Sequence, residues 1–203
     1  MLEQELFFEY DIDETSEAAL QHFLSLISFR KRVGKKEIGM IDRAMAVFRA
    51  GQSGLCLKAF VRPYSDCMIR DKKLVIGDAI FDLPRAERRL RGTSVRAYVY
   101  AINAGKCHSE EGMDELLAHM WGTSFALAGQ TLIQNEISRL EDAQPQSVIT
   151  PIWLDSGLHG KKMRQAAALH TLLDVSQIGM ELDAQTNTVN SRGLGGIALF
   201  SDF

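Results

Sequence analysis

Proline and cysteine are scarce in this 203-residue chain, long apolar runs are missing, and neither sign of charge dominates. Each shortage argues against a class of protein. The three cysteines, Cys56, Cys67 and Cys107, are odd in number, widely spaced and form no C-x-x-C pair. That pattern speaks against a disulfide framework or a structural zinc site, and for reduced thiols in a cytoplasmic protein. The longest apolar stretches are too short to span a bilayer, so no membrane association is expected. Met1–Tyr10 carries Glu3, Glu5 and Glu9 and lacks the basic start of a secretory signal. With 23 basic and 26 acidic residues the formal net charge is -3, which gives no electrostatic reason to expect nucleic acid. The basic clusters at 30–32 and 85–91 read as solvated faces. With four prolines and no Gly/Ser-rich linker, one domain over residues 1–203 is expected. Pro145 is the only tempting boundary, and the piece after it would be hard to stabilise alone.

What is present is a mixture of periodicities. Leu6-Phe7-Phe8 among acids reads as a short strand. A helix follows with Ala19, Leu20, Phe23, Leu24 and Ile27 on one face, capped by Thr15 or Ser16. A second helix runs from about Lys36 to Ala50, with Ile38, Ile41, Met45 and Phe48 as its apolar face and Gly51 as its stop. Leu55–Val61, ending at Pro63, and Lys73–Ile76 read as strands. Pro84 and Gly92 bracket a short helix. Ser94–Asn103 is rich in β-branched and aromatic residues and is the best strand in the chain. The longest helix spans about Met113 to Leu140, and its broad apolar face predicts packing on more than one side. Val148–Trp153, a helix over Lys162–Asp174 and a strand over Gly193–Phe200 complete the reading. Without regular βαβ alternation, the fold class is α+β, with a mixed, largely antiparallel sheet and packed helices.

The order of parts after Ser94 is informative. Leu172-Leu173, then Ile178-Gly179-Met180-Glu181-Leu182, then Gly193-Leu194-Gly195-Gly196-Ile197 follow one another with a polar loop between the last two. Upstream come Tyr98–Gly105 and the patch Trp121-Gly122-Thr123-Ser124-Phe125. These segments, about half the chain, resemble the activation domain of vitamin B12-dependent methionine synthase. The resemblance implies that fold, and a stand-alone, diverged member of the family. It implies an accessory or reactivation role in cobalamin-dependent methyl transfer, within a methionine synthase or methyltransferase system, without catalytic residues of its own. The implied partner is a corrinoid protein or B12-dependent methyltransferase.

Departures from the family pattern set the cofactor expectations. The family's S-adenosylmethionine loop is of the Arg-x-x-x-Gly-Tyr-Pro type. The stretch here, Trp153-Leu154-Asp155-Ser156-Gly157-Leu158, has neither the arginine nor the tyrosine, so weak or absent binding of that ligand is expected. No Asp-x-His-x-x-Gly motif occurs. Around His108, Lys106 stands in place of the acid and Gly112 comes one residue late. The chain is expected to bind no cobalamin tightly and to meet one only as held by a partner. Asn103 and Gly105 in the turn after the Tyr98 strand, Trp153, Asp155 and Gly157 in the Trp153–Gly157 turn, and Arg192, Gly195 and Gly196 in a loop over Arg192–Gly196 form the expected partner- or ligand-binding face. Loops at one sheet edge can make contacts without disturbing a core.

Two other readings stay in view. One is a small-molecule protein on the same fold, its ligand nucleoside-like or corrinoid. Here Trp153 and Asp155 would line a pocket, and the glycines around Gly195 would cradle an anion through backbone N–H groups. The other is an enzyme using Cys107 and His108 beside Glu110 and Glu111. A thiolate needs a base and a lowered pKa, and a metal needs several converging ligands. Adjacent residues at a helix entry meet neither demand readily, and Ser109 reads as a cap there. His119 and His170 lie on helices near apolar positions and read as packed side chains.

Overall fold

The computed structural model describes residues 4–27, 34–50, 56–83, 94–106, 111–155 and 161–201. Strand β1 (Leu6–Asp11) passes directly into α1 (Ile12–Ile27), and α2 (Lys35–Ala50) follows. Three strands come next: β2 (Cys56–Arg70), β3 (Lys73–Ile76) and β4 (Ala79–Asp82). Then come β5 (Ser94–Lys106), α3 (Gly112–Glu141), β6 (Ser147–Trp153) and α4 (Lys161–Leu172). A 3-10 turn (Val175–Ile178), the small hairpin β7 (Leu182–Asp183) and β8 (Thr188–Val189), and β9 (Ser191–Ser201) complete the order.

Among the described residues the sheet has seven strands, in the order β4-β3-β2-β5-β9-β6, with β1 beside the first half of β2. Every pairing in it is antiparallel, so the chain is α+β with an antiparallel sheet. Side chains alternate across β5. Val95, Ala97, Val99 and Ala101 face one core, while Tyr98, Tyr100, Ile102 and Ala104 face the other. The second core is covered by α1, α2 and α3, where Phe23 meets Trp121 edge-on and Phe48 tilts against Phe125. Each such ring contributes about 1.5–3 kcal/mol through burial. The first core is covered by α4 and the 3-10 turn through Ala166, Leu169, Leu173, Val175 and Ile178. Helix α4 touches both β4 and β6, the two ends of the strand order, so the sheet curls around it.

Several boundaries differ from the sequence reading. Helix α1 starts at Ile12, so Thr15 and Ser16 lie inside it and donate their hydroxyls to the carbonyls of Asp11 and Ile12, at 3.0 and 2.6 Å. Asp11 serves the helix start instead, its carboxylate accepting the N–H of Asp13 at 2.8 Å. Strand β2 does not stop before Pro63. It runs on to Arg70, because Pro63 pairs with Tyr98 while no strand among the described residues ladders its other edge, and a bulge between Tyr64 and Cys67 absorbs the irregularity. Strand β4 and the β7–β8 hairpin, each strand at most four residues long, were not anticipated. The broad face of α3 is used on several sides, against α1, α2, β2, β5 and β9. The helix expected between Pro84 and Gly92, the stop at Gly51 and the Cys107–Glu110 cluster lie outside the described residues.

Candidate functional site

The strand ends Asn103–Lys106 of β5, Trp153 of β6 and Ser191–Gly193 of β9 lie together at one end of the sheet. Register fixes this: Asn103 pairs with Gly193, Lys106 with Ser191, and Trp153 with Leu194. The ladder continues one step beyond β6, where the N–H of Leu154 donates to Gly193 at 2.9 Å and that of Val189 donates to Leu154 at 2.9 Å.

Asn103 points toward the α4 side. Its Nδ2 donates to the carbonyl of Ile178 at 2.8 Å and its Oδ1 accepts the N–H of Gly105 at 3.0 Å. Gly105 has φ of 87°, a left-handed conformation that favours glycine, and sits in the bulge between Asn103 and Lys106. The 3-10 turn ends at Gly179 (φ 74°), so the Ile178–Leu182 segment leaves the turn directly against β5.

Arg192 points to the opposite side, and it is not displayed. Its residue is 6% exposed. One guanidinium nitrogen, Nη1, meets Asp155 Oδ2 at 2.6 Å, with both side chains almost fully buried. The other, Nη2, reaches Nδ1 of His119 on α3 at 2.6 Å. A guanidinium has donors only, so the His119 nitrogen is the acceptor. One turn on, Gly122 leaves room for Phe48: a Cβ there would lie 3.2 Å from that ring, tighter than an ordinary contact, and in ordinary contact with Arg192 Nε at 4.0 Å. The three side chains fasten β9, the end of β6 and α3 together. The guanidinium is satisfied internally, so Arg192 acts as a clamp and not as a hand held out to a ligand.

The other expected site residues separate. Trp153 is half-buried against the three-helix core, beside Leu194. Gly195 and Gly196 lie in the middle of β9, not in a loop. A Cβ on Gly195 would lie 2.5 Å from Leu169 of α4, and one on Gly196 would collide with the hydroxyl of Tyr100. These glycines admit neighbouring side chains to the sheet surface and offer no cradle for an anion. Gly157 lies outside the described residues.

Two polar clusters escaped the sequence reading. Tyr100, fully buried, accepts from Gln134 Nε2 at 2.8 Å, and burial pushes its pKa up to about 12. Tyr98 donates to Glu141, which also pairs with Arg96 Nη1 at 2.8 Å; burial, then that carboxylate, raises the tyrosine's pKa. Both tie the sheet to α3. The partners are over thirty residues apart, so no local spacing announces them. Cys67 is buried and its thiol is pushed up to about 12, which makes it a packing residue. Among the described residues no group of His, Cys, Asp and Glu could hold a metal ion. No helix among them is long and apolar enough to cross a membrane.

Among known proteins, no family model matches the chain, and no curated protein matches it significantly.

Proposed function

We propose that the chain is an accessory, reactivation-type domain for corrinoid-dependent methyl transfer. It docks on a cobalamin-holding protein with the sheet end formed by β5, β6 and β9. One observation carries this reading. The separated segments that bear the family resemblance pack on one another: Asn103 bonds Ile178 and pairs with Gly193, while Arg192 reaches His119 beside the Trp121–Phe125 patch. Docking would favour the partner's conformation in which oxidised cobalt is reduced and remethylated. The chain contributes shape and contacts, and the cobalt chemistry belongs to the partner.

S-adenosylmethionine is expected to bind weakly or not at all. The Trp153–Leu158 stretch lacks the family's arginine and tyrosine, and the guanidinium of Arg192 is held by Asp155 and His119. Loss of a bidentate charged contact removes roughly a hundredfold in affinity. Calorimetry showing micromolar binding would count against this.

The docking test uses size-exclusion chromatography of the chain with a cobalamin-loaded methyltransferase, followed at the corrinoid absorption. Co-elution is expected. Reversing two exposed charges at this end, Lys106→Glu and Glu181→Lys, should abolish it without moving the thermal midpoint. A chain that purifies red after dialysis, or fails to co-elute at tens of micromolar, where a complex with a Kd of about 1 μM is largely formed, sinks the reading.

A further inference from the structure

A cavity of about 780 Å³ opens along β2, away from the proposed docking end. Its origin is a gap in strand pairing. Strand β1 covers Cys56–Val61 and β3 covers Cys67–Arg70 on the same edge, leaving Arg62–Asp66 open among the described residues. The size falls in the range of small-molecule sites.

The lining chemistry is specific. Phe7, 52% exposed, stacks flat on Phe60 at 4.7 Å and lines the cavity. Arg62 lies over the Tyr64 ring at 5.5 Å, and both donate to the carbonyl of Leu172 at the end of α4, at 3.4 and 2.7 Å. The guanidinium is thereby held in place while its side chain stays 47% exposed. Its carboxylate partner is Glu5 at 3.4 Å, a long, solvated pair that a better-placed anion can displace. Arg96, also on the wall, is engaged by Glu141.

We propose that this cavity binds a planar aromatic monocarboxylate, its ring against Phe7 and its carboxylate on Arg62 in place of Glu5. The wall carboxylates Glu5 and Asp66 disfavour a second negative charge, so a carboxylate fits better than a phosphate dianion. A peptide strand filling the gap fits less well, because Pro63 at its centre has no N–H to donate to a ladder. The site is independent of the corrinoid reading.

Calorimetry on the full chain with naphthoate as probe tests it. Naphthoate should bind, and neutral naphthamide, or naphthoate on Arg62→Gln or Phe7→Ala, should bind about tenfold more weakly or worse. Glu5→Gln is the discriminating variant: it keeps the arginine and removes the competitor, so binding should tighten. Naphthamide binding as well as naphthoate would overturn the proposal, as would Glu5→Gln leaving the affinity unchanged or weaker. So would adenosine monophosphate or tetra-alanine binding where naphthoate does not, or no naphthoate heat at millimolar concentration.

Discussion

Arg192 shows how a residue singled out for display becomes a structural one. Its charge is buried, with Asp155 on one nitrogen and His119 on another. Removing one partner of such a pair strands a charge away from water, which costs about 3–5 kcal/mol, whereas replacing both with apolar groups can be nearly neutral. Asp155→Ala should therefore lower unfolding free energy in urea by that amount, and Asp155→Leu combined with Arg192→Met by clearly less. Equal losses would mean that the charges are not coupled. His170 in α4 gives a prediction in pH. Burial lowers the imidazole pKa, and the Asn187 backbone beside the ring, too poorly placed for a well-formed hydrogen bond, offsets this only in part. The folded state thus holds the ring neutral while the unfolded chain takes up a proton below its ordinary value near 6.5. The stability linked to this group is present above that value and is lost as pH falls. Urea midpoints should drop between neutral pH and about pH 5, and His170→Leu should flatten that drop. An unchanged slope would place the acid sensitivity elsewhere.

At the level of elements, most of the architecture could be read from pattern, and the failures have physical causes. Ser94–Asn103, Lys73–Ile76 and the α3 segment were legible because β-branched density, a flanking polar turn and a long apolar face each give a strong local signal. The start of α1 was misplaced because Thr15 and Ser16 have the chemistry of caps, yet their hydroxyls bond backward to carbonyls one turn earlier. Pro63 was read as a stop because proline removes a donor. On an edge that no strand among the described residues covers, that loss costs nothing. The candidate site was half legible: register brings Asn103, Trp153 and Arg192 to one sheet end, but sequence cannot say on which face a side chain lies when strand limits are uncertain by one residue. The contact of α3 with β2 offers an element-scale test. A Cβ on Gly129 would collide with the side chain of Leu57, so the helix sits at a distance that only glycine permits. Gly129→Ala should destabilise the protein by about 1–3 kcal/mol through overpacking. Leu57→Ala in the same chain should recover part of that loss, giving a double-mutant coupling. Strict additivity would mean that α3 moves outward as a unit instead.

On the scale of the whole molecule, the two cores are not separable parts. They lie on opposite faces of one sheet, and β5 supplies Val99 and Ala101 to one and Tyr98, Tyr100 and Ile102 to the other. Strand β9 does the same with Ile197 and Leu199 against Leu194, Ala198 and Phe200. A strand cannot leave one core while staying in the other, because each residue's backbone ladder is shared by both faces. The curl of the sheet adds a second constraint, since α4 bridges β4 and β6 from opposite ends of the strand order. Loss of α4 would expose Leu169, Leu173 and the sheet surface beneath them together. We therefore expect one cooperative unfolding transition. Tryptophan fluorescence, from Trp121 and Trp153, both packed in the three-helix core, should report the same urea midpoint as hydrogen exchange at Leu169 and Ile197 in the other core. Limited proteolysis should yield no stable fragment ending near Pro145, since such a fragment would lack both β6 and β9 and leave β5 with an open edge along its length. A folded piece ending there, or two separated midpoints, would show that the three-helix layer holds the first strands without the rest.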